Sequence, residues 1–201
     1  MAAETPENCA VAPEDQARAA LYRFIARLLS APPQTGDLAV AASITGDDSP
    51  LGLALSSLAG CAAATTPQMA GEQFQTLFIG LGRGELVPYA SYYLTGFLQE
   101  KPLARLRADM DRLGIARSPD VAEPEDHIAS VLEIMAGLID GAFGEPLPPS
   151  GQKNFFDAHV GSWADHFFSD LAKSPTSEFY RAVGDTGRLF LSVEQEAFLM
   201  A

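Results

Sequence analysis

The chain has 201 residues, 47% hydrophobic and 19% charged, with 13 Lys and Arg against 26 Asp and Glu for a formal net charge of −13. A chain of that length suits one domain or two small lobes, and folding can bury about 70% of its unfolded surface without a disulfide or metal staple. The composition excludes a disordered polymer, the negative field disfavours nucleic-acid binding, and two cysteines without CxxC spacing exclude a disulfide framework and a zinc knuckle.

In chain order, the acidic start Met1–Pro13 has neither a basic stretch nor an apolar core of the kind a secretory signal needs. It reads as a disordered tail over 1–13 ahead of one helical domain over 14–201, in a protein expected to be cytoplasmic. Gln16–Ser30 carries Leu21, Phe24, Ile25, Leu28 and Leu29 at helical spacing, and Ala31-Pro32-Pro33 stops that helix. Asp37–Ile44 and Pro50–Ala64 are Ala- and Leu-rich helical stretches; neither they nor any other segment is long and apolar enough for stable membrane insertion. Pro67–Ile79 brings Phe74, Leu77 and Phe78 to one face, and Gly80-Leu81-Gly82-Arg83-Gly84 must then be a turn or loop. Tyr92–Leu98 is a short helix. Pro102–Leu113 is another, with Leu103, Leu106, Met110 and Leu113 in register and Gly114 as its stop.

Gly114–Glu123 reads as a linker, followed by a helix with Pro124 in its first turn and the stripe Ile128, Val131, Leu132, Met135, Leu138, Ile139. Gly144–Gly151 is a second candidate linker. Lys153–Ser169 is a helix carrying Phe156, Val160, Trp163 and Phe167. Ser174-Pro175 reads as an N-cap and first-turn proline leading into Phe179, Tyr180 and Val183. Ser192-Val-Glu-Gln195 has the form of a capping box opening a final short helix. No segment alternates with period two, so the fold class is all-α.

Few groupings suggest chemistry. The glycines at 80, 82 and 84 follow a helix rather than a strand and lack the Lys-Ser/Thr ending of a phosphate loop, so they read as a turn. The three histidines, His127, His159 and His166, lack the paired Glu-x-x-His pattern of a bundle metal site, so no metal ligands are assigned. His159 and His166 are expected beside Trp163 with their polar edges in water. Asp126 and His127 point about 100° apart on a helix and cannot orient one another as an acid–base couple. Asp126 then reads as a reachable first-turn carboxylate worth about 0.3–1 kcal/mol to the helix dipole. No catalytic residue is assigned. The run Val87-Pro88-Tyr89-Ala90-Ser91-Tyr92-Tyr93-Leu94 puts amphipathic rings beside the glycine loop, a composition suited to peptide recognition.

Phe74-Gln75-Thr76-Leu77-Phe78 resembles the aromatic-x-x-Leu-Phe motif of the TorD/DmsD/NarJ redox-enzyme maturation chaperones, and Glu123-Pro124-Glu125-Asp126-His127 resembles their Glu-Pro-x-Asp-His motif. The spacing between the two, Leu21-Tyr22-Arg23-Phe24 and Phe155-Phe156…His159…Trp163 are similar as well. The resemblance implies an all-helical domain of two lobes joined by a hinge, as a monomer or a domain-swapped dimer, and binding rather than catalysis. Its implied partners are the apo form of a molybdoenzyme catalytic subunit and that subunit's twin-arginine signal peptide, with assistance to molybdenum-cofactor insertion and delay of export until folding. Formate dehydrogenase and the dimethyl sulfoxide/trimethylamine oxide reductases are the client classes it suggests. No cofactor is expected to be tightly bound, with GTP or molybdopterin guanine dinucleotide as transient ligands. The implied client-binding residues are Leu77, Phe78, Pro88, Tyr89, Ser91, Tyr93, Glu123, Asp126 and His127, with Asp126 facing an arginine. Two other readings remain at this point: a GTP-hydrolysing enzyme, and a structural assembly subunit of a redox complex.

Overall fold

A computed structural model describes residues 11–117 and 123–200. The expected tail over 1–13 falls largely outside the described residues, as does the middle of the expected 114–123 linker. The described residues form ten α-helices and two π-helical turns. The helices are α1 (Pro13–Ser30), α2 (Thr35–Ala42), α3 (Pro50–Ala63), α4 (Pro67–Phe74), α5 (Ala90–Thr95), α6 (Lys101–Arg112), α7 (Ile128–Asp140), α8 (Pro149–Phe155), α9 (Ala164–Lys173) and α10 (Glu178–Met200). The π-helical turns, Gln75–Ile79 and Phe156–Val160, continue α4 and α8 respectively. No helix among the described residues is long and apolar enough to cross a membrane.

Four pairings build the core: α1 along α7, α9 along α10, α10 against α3, and α2 against α3. Nearly every side chain of α7 is buried, which is why its sequence is apolar on more than one face. The buried face of α1 is rotated from the expected one. Tyr22, Ile25, Ala26, Leu28 and Leu29 are buried, while Leu21 and Phe24 are only half-buried. The rotation follows from a polar contact. Arg18 grips Glu194 of α10 through two hydrogen bonds of 2.7 Å, and the Tyr22 hydroxyl donates to the same carboxylate at 3.0 Å. Glu194 is fully buried, so this bidentate pair and its third donor offset the cost of taking the charge out of water.

That contact also corrects the C-terminal reading. Ser192–Gln195 opens no helix: α10 runs unbroken from Glu178 to Met200, because Thr186, Phe190, Leu191, Glu194 and Phe198 keep one face against the core. Its start is capped by Ser177, whose Oγ accepts from the Tyr180 amide at 3.0 Å, rather than by Ser174. The expected Lys153–Ser169 helix is interrupted. α8 begins inside the expected 144–151 linker, and the chain breaks at Gly161–Trp163, where the Trp163 indole donates to the His159 carbonyl at 2.8 Å.

α9 and α10 approach so closely that a Cβ on Gly184 would meet the Ala172 backbone nitrogen at 2.5 Å. Gly60, on the exposed side of α3, has nothing within 4 Å. The same substitution should therefore act with opposite sign at the two positions. Gly60→Ala should stabilise by about 0.5–1 kcal/mol through helix propensity. Gly184→Ala should destabilise by about 1–3 kcal/mol through overpacking. Urea unfolding midpoints of the two variants check this, and a stabilising Gly184→Ala would contradict the close approach.

Candidate functional site

The two motif segments meet in space through a short stitch of backbone. The Ile128 amide donates to the Pro88 carbonyl at 2.8 Å, and the Ala90 amide to the Asp126 carbonyl at 2.9 Å, so Tyr89 and His127 form an isolated antiparallel bridge. The Asp126 carboxylate then accepts from the Ser91 amide at 2.9 Å. Asp126 therefore serves the first turn of α5, not that of α7. α7 begins only at Ile128, with His127 as its N-cap and Pro124 ahead of it, outside the first turn where it was expected. The His127 Nδ1 accepts from the Ala129 amide at 3.2 Å, which requires a neutral ring protonated at Nε2.

Burial separates the nine implied client-binding residues. Leu77 at 0%, Ser91 at 0% and Asp126 at 1% exposure are inside the protein, and Pro88 and His127 are buried with them. Leu77 belongs to the core, and Asp126 is not the solvent-reachable carboxylate expected, because it is enclosed and holds the start of α5. Phe78, Tyr89 and Tyr93 are half-buried, and Glu123 is exposed. Phe78 packs edge-on against Phe74 and Tyr180, with ring centroids 4.9 and 5.5 Å away.

The reachable edge is built on tyrosines. Tyr89 stands edge-on to His127 at 5.1 Å and donates its hydroxyl to Glu123. Tyr93, one helical turn on, lies against Trp163 and Phe167 at 5.6 and 6.0 Å and donates to Asp170 at 3.2 Å. Burial and then the neighbouring carboxylates push both phenols above their usual range, so both stay protonated donors. Asp170 escaped the sequence reading. It lies on α9 three residues after Phe167, but nothing along the chain links that helix to Tyr93, 77 residues away.

The glycine loop has a structural explanation. In the π-helical turn the Gly80 amide bonds the Gln75 carbonyl at 2.7 Å, leaving the Thr76 and Leu77 carbonyls to accept from the Glu85 and Leu86 amides at 3.3 and 2.8 Å. The returning chain passes so near that a Cβ on Gly84 would lie 2.5 Å from the Leu77 oxygen. His159 is buried, contrary to the expectation that its polar edge meets water; it lines a small cavity with Leu94 and Asp126 and bonds Asp109 of α6 at 2.6 Å. His166 is exposed. Among the described residues no three His, Cys, Asp or Glu side chains come together to hold a metal ion.

The model of a family described as "Nitrate reductase delta subunit" matches residues 45–169. Over 114 residues the chain is 33% identical to the probable Tat proofreading chaperone DmsD of Haemophilus influenzae, covering 56% of this chain and 53% of that protein. Over 118 residues it is 30% identical to the chaperone protein TorD of Aliivibrio salmonicida, covering 55% of each. The chain thus spans about half the length of the curated relatives it matches. A crystal structure of a candidate redox enzyme maturation protein from Archaeoglobus fulgidus superposes with a TM-score of 0.60 at 22% identity, over 87% of this chain and 93% of that one, a likeness of fold.

Two variants test the stitch. Asp126→Ala removes the acceptor of the Ser91 amide and should cost about 1–2 kcal/mol of stability. For His127, burial lowers the folded-state pKa from 6.5 to about 4. The unfolded chain then binds more protons between those values, so stability falls as pH drops through this window. From pH 7 to pH 5 His127 alone should cost about 2 kcal/mol. His127→Asn, which keeps a capping side chain, should lose that share of the pH dependence. Denaturant unfolding at both pH values checks it; an unchanged pH dependence would contradict the buried neutral ring.

Proposed function

The chain belongs to the nitrate reductase delta subunit family, the family of the TorD, DmsD and NarJ redox-enzyme maturation chaperones, and from that premise we propose that it is a cytoplasmic chaperone for one molybdoenzyme. In this reading it holds the client's twin-arginine signal peptide and apoprotein, assists insertion of the client's molybdenum cofactor, and delays export until folding is complete. Its task is binding rather than turnover.

The reading rests on where unsatisfied surface is concentrated. Of the twelve large apolar side chains exposed among the described residues, five lie between residues 79 and 98: Ile79, Leu81, Leu94, Phe97 and Leu98. They flank the segment that carries Tyr89 and Tyr93. Exposed apolar groups held beside amphipathic rings suit an apolar peptide segment. The exposed carboxylate of Glu123, on a chain of net charge −13, suits a cationic one. Asp126 and His127 support this edge from beneath; Glu123 takes over the charged contact first assigned to Asp126.

Calorimetry with a synthetic twin-arginine signal peptide, an Arg-Arg→Lys-Lys version and a scrambled control tests the proposal. The arginine peptide should bind about tenfold or more tighter, since a guanidinium meets carboxylates with a planar fork that an ammonium lacks. Affinity should fall with salt as the Debye length shrinks from about 10 Å at 0.1 M to about 3 Å at 1 M, then level off where apolar burial remains. Equal affinity for all three peptides would overturn the reading.

A further inference from the structure

Chemistry is graded along α5 and the turn that follows it. At the N-terminal end, Tyr89 holds the exposed carboxylate of Glu123; one turn later, Tyr93 holds the exposed carboxylate of Asp170. The backbone bond from the Tyr93 amide to the Tyr89 carbonyl, 3.1 Å, fixes that one-turn spacing. At the C-terminal end the surface turns apolar, with Leu94, Phe97 and Leu98 all exposed, Phe97 at 70%.

This apolar turn is held rather than loose. The Thr95 hydroxyl donates to the Ser91 carbonyl at 2.8 Å, the Phe97 amide donates to Thr95 Oγ1 at 3.2 Å, and the Glu100 amide donates to Ser91 Oγ at 3.2 Å. Buried Ser91 thus ties the turn to Asp126 and to the stitch. Apolar side chains presented to water on such a support are surface prepared for a partner. Glu100 and Lys101 follow the turn directly, and Arg105 lines the same small cavity as Leu94. There the Asp126 carboxylate is buried and taken by the Ser91 amide, so this end offers a cation little net attraction. Arg83 is held by the ring and hydroxyl of Tyr92 on a neighbouring face of α5.

We propose that this graded surface sets the direction in which a client peptide docks. The arginines of the peptide lie at Glu123 and Asp170, and its apolar segment lies over Leu94, Phe97 and Leu98, so the peptide runs parallel to α5. Asp170 is then a specificity-determining residue: its carboxylate, steadied by Tyr93, receives one guanidinium while Glu123 receives the other. A peptide laid in the opposite sense would set its arginines against the Lys101 and Arg105 end and its apolar residues against two carboxylates. Charge complementarity thus chooses a cationic-then-apolar segment over either feature alone. This inference rests on the signal-peptide reading given above.

Photo-crosslinking with the synthetic twin-arginine peptide tests it, using one version with a benzophenone beside the arginines and one with it at the far end of the apolar segment. Mass spectrometry should place the first crosslink around Tyr89, Glu123 and Asp170, and the second within residues 94–98. A reversed pattern, or equal labelling of both regions by both probes, overturns the docking direction. In parallel, Asp170→Asn should weaken the Arg-Arg peptide about three- to tenfold, with no loss for a peptide whose arginines are replaced by alanine. An equal loss for both peptides would reduce Asp170 to a structural role and overturn its assignment. If the unmodified chain fails to prefer the arginine peptide over its scrambled control, the signal-peptide reading falls and the docking direction falls with it. If that preference stands and the crosslinks reverse, only the direction falls.

Discussion

The architecture of the candidate site depends on one constraint: two non-helical strips inside an all-helical protein must satisfy their backbone groups, and they do so with each other. Residues 87–89 and 124–127 lie outside the helices, so their backbone groups, and the first amides of the helices that follow, need partners away from water. The bonds from Ile128 to Pro88 and from Ala90 to Asp126, both under 3 Å, supply them. The Asp126 carboxylate adds a third link by accepting from Ser91. With the strips locked, α5 starts at a fixed point and angle. Tyr89 and Tyr93 then stand on its outer side, and the 94–98 turn projects from its end.

The excess of acid is divided between two tasks by burial. Asp126 and Glu194 are inside, and each is committed to donors that keep its charge tolerable: the Ser91 amide for one, Arg18 and Tyr22 for the other. Glu125 is likewise buried and held by Arg107 at 2.8 Å. An enclosed carboxylate with such partners supports the fold and offers little to an incoming cation. Glu123 and Asp170 differ in kind. Each is exposed, keeps access to water and is steadied by a single phenol. A charged residue inside a motif can therefore shape a surface from within the fold.

Most of the helices were legible from apolar spacing, because a helix that buries one face must repeat near 3.6 residues. Their ends were less so. The Ser192–Gln195 pattern has the composition of a capping box, yet it lies in the middle of α10, where tertiary burial of Glu194 outweighs local capping preference. The π-helical turn at Gln75–Ile79 gives no periodicity signal, since it depends on carbonyls freed to receive the returning chain at Glu85 and Leu86. Of the site, the two motif segments and the aromatic run were visible; which of their residues face water was not.

By itself, then, the sequence determined the all-helical class, the acidic character, and the presence of Tyr89, Tyr93 and Glu123 near two family motifs. Those follow from residue spacing, residue type and linear pattern, which need no knowledge of distant contacts. Only the tertiary structure decided that Leu77 faces the core, that Asp126 closes α5 rather than meeting solvent, and that Asp170 reaches Tyr93. Each of these is settled by a contact across 35 or more residues of chain, or by exposure to water. Local propensity carries no information about either.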